Sequence, residues 1–433
     1  MDLLTIGVFG IVLLLILLFL GMNTGFAMLT AGVAGFAIAV DPAAALGLLK
    51  SVPFNTTASF SLAVIPLFIM MGQFAFHGGL SADLYRACHV WLGRMPGGLA
   101  IATIAACGGF SAICGSSTAT AATMATVCLP EMGKYRYAAS LSAGSVAAGG
   151  TLGILIPPSI GFILYGITAE QSIGVLFAAG FVPGLLLMVY YMATIAVTVR
   201  KNPTLGPRGE KFTLKERIAS LKGIAAILML FVVVIGGIFG GFFTANEGAA
   251  VGAIGAFLFM VCRGKCSLKT LKEALSGTVR TSSMILLIVI GANIFGYFLS
   301  LTRLTSSFAE AILSMDAPPY LVLALILALY LAMGCIMDSL AMIVLLVPIF
   351  LPVIQSLGMN PIWFGVLMVM IMETGLITPP VGMNVFIING IAREIPMQTI
   401  FRGVFPFLIA LSLAVITVML VPQVALFLPS LLY

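Results

Sequence analysis

Two polar stretches interrupt an otherwise apolar chain, and both carry oxygen-rich chemistry. The first comprises Cys114-Gly115-Ser116-Ser117-Thr118-Ala119-Thr120 and, further on, Gly153-Ile154-Leu155-Ile156-Pro157-Pro158-Ser159. The second comprises Met337-Asp338-Ser339-Leu340-Ala341 and then Gly375-Leu376-Ile377-Thr378-Pro379-Pro380. Small hydroxyl residues and Pro-Pro pairs are poor material for a plain helix. A helix broken at Pro-Pro lacks amide donors, so carbonyls of the preceding turn are left without a helical partner. Such carbonyls, with nearby hydroxyls, are hard oxygen ligands suited to Na⁺. Helix N-termini at the same break offer free N–H groups and a positive dipole end to an anion.

The expected cation ligands in the first stretch are Gly115, Ser116, Ser117, Thr151, Gly153 and the turn at Pro157. In the second they are Met337, Asp338, Ser339, Thr374, Gly375, Thr378 and Pro379. The expected substrate contacts are Ser116, Ser117, Thr118, Pro158, Ser339, Pro380 and Asn384, the last able to donate from the restarted helix. A competing reading is that these Ser and Gly residues only let helices pack closely, as small residues do in membranes. The pairing of the stretches weighs against it. Ser117 and Ser339, Ala119 and Ala341, Pro130 and Pro352, Gly153 and Gly375, and the two Pro-Pro pairs are all 222 positions apart. The chain reads as a duplication with one broken-helix site in each half.

Asp338 and Glu373 are the only acidic residues this reading places inside the membrane. A carboxylate at that depth costs at least ~2.5 kcal/mol, so each needs a partner or a function. Neither has an acidic twin, since the matching positions are Ser116 and Thr151. Binding a cation, carrying a proton and capping a broken helix all remain open for both.

The elements that must hold these stretches follow from composition. The chain is 61% hydrophobic and 8% charged. Soluble domains carry roughly 25% charged residues, which excludes a water-soluble fold. Apolar runs of bilayer length recur, without the alternation of a membrane barrel. The first run, Leu3–Leu20, lacks a basic n-region and an Ala-x-Ala site, and reads as a retained span. The fold class expected is an all-α polytopic membrane protein built from two inverted-topology repeats. Each repeat holds about five spans and one re-entrant hairpin that does not cross.

The first repeat covers 1–199, with spans in 1–56, an amphipathic stretch at 80–94, a hairpin at 99–130 and a broken span at 135–168. A basic linker occupies 200–222. The second repeat covers 223–433, with spans 223–262, a basic loop, span 281–300 and an amphipathic stretch 303–316. Hairpin 320–352, broken span 362–392 and a last span 403–428 complete it. An odd number of crossings inverts one repeat relative to the other. With the linker cytoplasmic, only Lys50 and Arg303 of the 20 Lys and Arg fall outside. Both termini are then expected on the outer face.

Enzyme chemistry is thin. Gly109-Phe110-Ser111-Ala112 is the only hint of an intramembrane serine hydrolase, and both histidines, His77 and His89, precede it. No Walker A loop, His-Glu-x-x-His or Gly-rich nucleotide fingerprint occurs. Cys262 and Cys266 have no companion Cys or His cluster, so no transition-metal site is expected.

Gly115–Thr120, Gly153–Ser159 and Glu373-Thr374-Gly375-Leu376-Ile377-Thr378-Pro379-Pro380-Val381-Gly382-Met383-Asn384 resemble the motifs of a known family. The whole chain is similar to the large membrane subunit of tripartite ATP-independent periplasmic (TRAP) transporters, in the ion transporter superfamily. That resemblance implies Na⁺-coupled uptake of an organic acid (dicarboxylate, keto acid or sialic acid) by an elevator movement in the bacterial inner membrane. It implies two partners, a small membrane subunit of four spans and a periplasmic substrate-binding protein. It also implies that 80–94 and 303–316 connect a fixed scaffold to moving hairpins. A stand-alone Na⁺ or H⁺/carboxylate symporter is the alternative within the class. A passive channel and an intramembrane hydrolase lie outside it.

Overall fold

Long uncharged stretches with no strand periodicity fold as helices here, and Asn, Asp, Ser and Thr start many of them. Asn23 caps one helix through the Gly25 amide (3.1 Å), and Asp41 another through Ala44 (2.9 Å). The computed structural model describes residues 2–314, 317–335 and 337–433. Among these, every regular element is helical. The end of the expected amphipathic stretch at 315–316, and position 336 of the second hairpin, lie outside the described residues.

The first half runs α1 (Leu3–Phe19), α2 (Thr24–Ala39), α3 (Pro42–Thr57), α4 (Val64–His77) and α5 (Leu80–Leu92), the last on the expected amphipathic stretch. It continues with α6 (Gly98–Cys114), α7 (Ser117–Lys134), α8 (Ala139–Gly150), α9 (Ile160–Thr168) and α10 (Ile173–Lys201). The second half runs α11 (Leu214–Phe239), α12 (Ala245–Cys262), α13 (Leu268–Leu301), α14 (Leu304–Ser314) and α15 (Pro319–Gly334). It closes with α16 (Ser339–Ser356), α17 (Pro361–Gly375), α18 (Met383–Ile391), α19 (Met397–Leu420) and α20 (Gln423–Leu432).

Among the described residues, six helices are long and apolar enough to cross a membrane, or seven if α11, bent by 45°, counts as one span. This is a multi-pass helical membrane protein. Two boundaries differ from expectation. The basic loop expected before span 281–300 is the start of α13, a single helix of 34 residues. Its charges exclude Leu268–Arg280 from the bilayer without excluding it from a helix, and Ser267 caps it through the Thr270 amide (3.1 Å). The last expected span ends at Leu420, because Pro422 ends one helix and begins the next.

Packing pairs recur between the halves. Helix α2 lies on α13 and α4 on α12; α7 lies on α18 and α16 on α9; α8 lies on α19 and α17 on α10. Each second pair matches the first after a shift of about 222 residues. The linker folds back under the first hairpin. Gly97 N–H donates to Gly206 O (2.9 Å), Ala138 N–H to Leu205 O (3.0 Å), and the Tyr137 hydroxyl to Pro207 O (2.8 Å). Together these contacts hold the bases of α6, α7 and α8 in register.

Candidate functional site

Helices α6 and α7 are antiparallel arms that meet at Gly115 and Ser116. Gly115 ends α6 with φ +63°, the left-handed conformation that glycine adopts freely. Its carbonyl accepts from the Ile160 N–H (3.2 Å), tying the tip to the restart of the broken span. A Cβ at Gly115 would sit 2.7 Å from the Pro158 carbonyl oxygen. A Cβ at Gly153 would lie 2.5 Å from the Ser116 carbonyl oxygen and 2.7 Å from Ser117 Cα. The tip and the break therefore touch backbone to backbone. Both Pro157-Pro158 and Pro379-Pro380 are cis peptide bonds.

The repeat-related positions Ser116 and Asp338 do the same local work. Ser116 Oγ accepts from the Ala119 N–H (3.4 Å) and caps α7, while Asp338 accepts from the Leu340 N–H (3.1 Å) and caps α16. The two tips meet around one small cavity of about 30 Å³. Gly115, Ser116, Ser117 and Thr118 line it from the first tip, and Asp338, Ser339 and Leu340 from the second. Ile154, Ile160, Glu373 and Leu376 complete it from the two broken spans. That volume suits one water molecule or one small ion.

Among the described residues, the walls hold buried polar atoms without a hydrogen bond of normal geometry. Ser117 Oγ, Ser339 Oγ and both carboxylate oxygens of Glu373 make no hydrogen bond of normal geometry. Glu373 is 1% exposed. Groups of this kind ordinarily have partners, so oxygens left free around one cavity are candidate ligands for a bound ion. The acceptor chemistry suits a hard cation, with Ser117, Ser339 and Glu373 free of internal hydrogen bonds of normal geometry while Ser116 and Asp338 also cap their helices.

Several residues expected at the site lie just behind it. Thr151 is fully buried, its hydroxyl bonded to Ala148 O (2.6 Å) and to the Tyr191 hydroxyl of α10 (2.8 Å). Thr374 donates to Met370 O (3.1 Å) and Thr378 to Thr374 O (2.6 Å). Met337 is buried and continues the α15 turn, its N–H on Met333 O (2.8 Å). Asn384 faces α8, donating to Ala147 O at 3.3 Å, with Oδ1 unpartnered. Pro157 and Pro158 are buried, whereas Pro379 and Pro380 are exposed. Tyr191 was not foreseen, since a lone tyrosine in an apolar span carries no spacing signal. Thr120, one turn beyond Ser117 with its hydroxyl unpartnered, was visible in the same polar run.

A polytopic helical bundle whose two broken-helix tips close on one ion-sized, oxygen-lined cavity has the build of a membrane carrier. The sequence profile described as "Tripartite ATP-independent periplasmic transporter, DctM component" matches residues 11–424. The chain is 35% identical over 378 residues to the C4-dicarboxylate TRAP transporter large permease protein DctM of Pseudomonas aeruginosa, covering 87% of this chain and 88% of that one. It is 32% identical over 417 residues to the sialic acid TRAP transporter large permease protein SiaM of Vibrio cholerae, covering 96% of each. The fold is similar to the Alcanivorax borkumensis YdaH transporter (TM-score 0.56, 14% identity, 90% of this chain and 89% of that one). The chain belongs to the DctM, or large permease, family of TRAP transporters, and that family consists of transport proteins and not enzymes.

Proposed function

We propose that this chain is the permease of a Na⁺-coupled uptake system for a small organic acid. A periplasmic binding protein delivers the acid, and a small four-span membrane subunit accompanies the permease. The tip cavity supports this reading most directly, because it joins hydroxyls from both halves (Ser116, Ser117, Thr118 and Ser339) to two carboxylates of the second half, Asp338 and Glu373. An organic anion brought to these tips meets Asp338 and Glu373, and like charges at short range in a low dielectric repel by several kcal/mol. A cation in the cavity removes that repulsion and adds attraction, so cation and anion favour each other's binding. This mutual dependence is what coupling requires. Ser117, Ser339, Glu373 and Asp338 would hold the cation, with carbonyls of Gly115 and the Gly153 and Gly375 turns as further ligands. The N-termini of α7 and α16, with Thr118 and Ser339, would face the carboxylate of the substrate.

In this reading the two halves are inverted repeats and both termini are periplasmic. Helices α6–α10 and α15–α19 move as one body past α1–α4 and α11–α13. The reciprocal packing pairs support the repeat, and the Lys and Arg asymmetry supports the orientation. The test is uptake into proteoliposomes holding the permease, its small subunit and its binding protein, with C4-dicarboxylates, a keto acid and sialic acid as trial substrates. Accumulation should need an inward Na⁺ gradient and the binding protein. Uptake indifferent to both would overturn the proposal.

A further inference from the structure

A cavity of about 590 Å³ lies at the opposite end of the first hairpin, where α5, the base of α7, the linker and α11 meet. Ser117 and Glu131 sit fourteen residues apart on α7, so this cavity is about 20 Å from the tip. Its wall carries four carboxylates, Asp83, Glu131, Glu210 and Glu216, against one guanidinium, Arg86. The surroundings have the opposite sign, for residues 200–222 hold seven Lys and Arg. Asp83 pairs with Arg263, Glu131 with Lys134 at 2.7 Å, and Glu216 closes the Thr213 capping box. Glu210 has no ion pair among the described residues and lies beside the Tyr135 hydroxyl.

His89 forms the inner wall. It is 7% exposed, and its Nε2 makes no hydrogen bond. Tyr135 and Phe212 stand edge-on to it, with ring centroids at 5.5 and 5.4 Å, and Tyr85 lies at 6.2 Å. Burial pushes the imidazole below its usual pKa, while Glu131 and Glu210 pull the other way. At neutral pH the ring is therefore uncharged, and one of its nitrogens is an acceptor.

We propose that this cavity binds a small aliphatic ammonium of the alkyldiamine class. Three features select that chemistry together. The carboxylates exclude anions and attract a cation. The imidazole nitrogen and Glu210 accept from N–H donors. The Tyr135 and Phe212 rings suit an ammonium or its adjacent methylenes. The volume falls in the range of small-molecule sites and far exceeds that of a bare metal ion.

The probe is 1,4-diaminobutane, added to the purified full-length permease in nanodiscs, with 1,4-butanediol as the neutral control. Calorimetry and thermal shift should detect the diamine at about 1 mM and not the diol. Glu210→Gln, at an exposed linker position, and Phe212→Ala, at a half-buried one, should each weaken binding tenfold or more. Neither should alter a thermal response to Na⁺, which reports on the tips. Lowering the pH from 7.5 through the depressed His89 transition should also weaken binding. Protonating His89 adds a positive charge to a wall that also carries Asp83 of α5, Arg86, Glu131 of α7, Glu210 of the linker and Glu216 of α11. No response to the diamine overturns the proposal, as does equal response to the diol or unchanged binding by both variants.

Discussion

Gly153→Ala is the sharpest probe of the tip, because the space it fills is bounded by backbone. The new methyl would stand 2.5 Å from Ser116 O and 2.7 Å from Ser117 Cα, against an ordinary contact of 3.4 Å or more. No side chain can rotate away, so the hairpin tip and the broken span must part by about 0.9 Å, the difference between 3.4 and 2.5 Å. Overpacking of this kind costs about 1–3 kcal/mol. The cost falls on the arrangement that gathers Ser116, Ser117 and the Gly153 turn about the cavity, so it should appear as weaker cation binding.

If the variant weakens Na⁺ binding tenfold, it loses about 1.4 kcal/mol of ligand-dependent stability. A wild-type response worth about 2.7 kcal/mol at a hundredfold excess of Na⁺ would be roughly halved. The assay is thermal unfolding of the purified permease over a Na⁺ series with a matched choline series. Gly133→Ala serves as the control, since nothing lies within 4 Å of its Cβ position. A Gly153→Ala protein with the wild-type Na⁺ response would refute the backbone-contact argument. A uniform loss of stability without a change in Na⁺ dependence would do so as well.

Tyr191→Phe removes the hydroxyl that holds Thr151 at 2.8 Å and should cost about 0.5–1.5 kcal/mol, with a several-fold rise in half-saturating Na⁺ during uptake. Glu373→Gln keeps the shape of a side chain whose carboxylate oxygens make no hydrogen bond of normal geometry among the described residues; it should fold normally yet bind Na⁺ at least tenfold more weakly, and an unchanged Na⁺ response would remove Glu373 from the site. The depressed pKa of His89 means that the unfolded chain binds a proton more readily than the folded one, so the stability contribution is complete above the usual value of 6.5 and is lost as pH falls through the folded value. The melting temperature should therefore drop on acidification below pH ~6.5 in the wild type and less steeply in His89→Gln.

The tips and breaks were legible because Gly115-Ser116-Ser117 and the Pro-Pro pairs violate both the helical and the apolar rule of their surroundings. Their common offset of 222 then turned two anomalies into one pattern. The sequence could not say which oxygen faces the cavity. Thr151 turns to Tyr191, and Asn384 to Ala147, because of neighbours 40 and 237 residues away. Such contacts are set by helix packing, which leaves no local mark. The start of α13 was hidden for another reason. Lys269, Lys272 and Arg280 exclude a membrane span, and a hydropathy reading does not distinguish a surface helix from a loop.

The departures from symmetry carry the functional argument further than the symmetry does. At positions 116 and 338 the duplication keeps one task, capping the tip helix, with serine on one side and aspartate on the other. At positions 151 and 373 it keeps none. Thr151 is satisfied by its own turn and by Tyr191, while Glu373 lies buried with neither oxygen in a hydrogen bond of normal geometry. Tyr191 itself has no counterpart, for the position 222 residues later is Leu413. Both carboxylates of the cavity thus come from the second half, and the first contributes hydroxyls and backbone. In the proposed site, a cation in this cavity would be held electrostatically by the second half and coordinated by Ser117 from the first. The first tip is also the better fixed of the two, with Pro157 and Pro158 buried where Pro379 and Pro380 are exposed. One half supplies the charge and the other the rigid frame against which that charge is presented, so under the proposed Na⁺ coupling the two broken helices would bind the same ion through unlike roles.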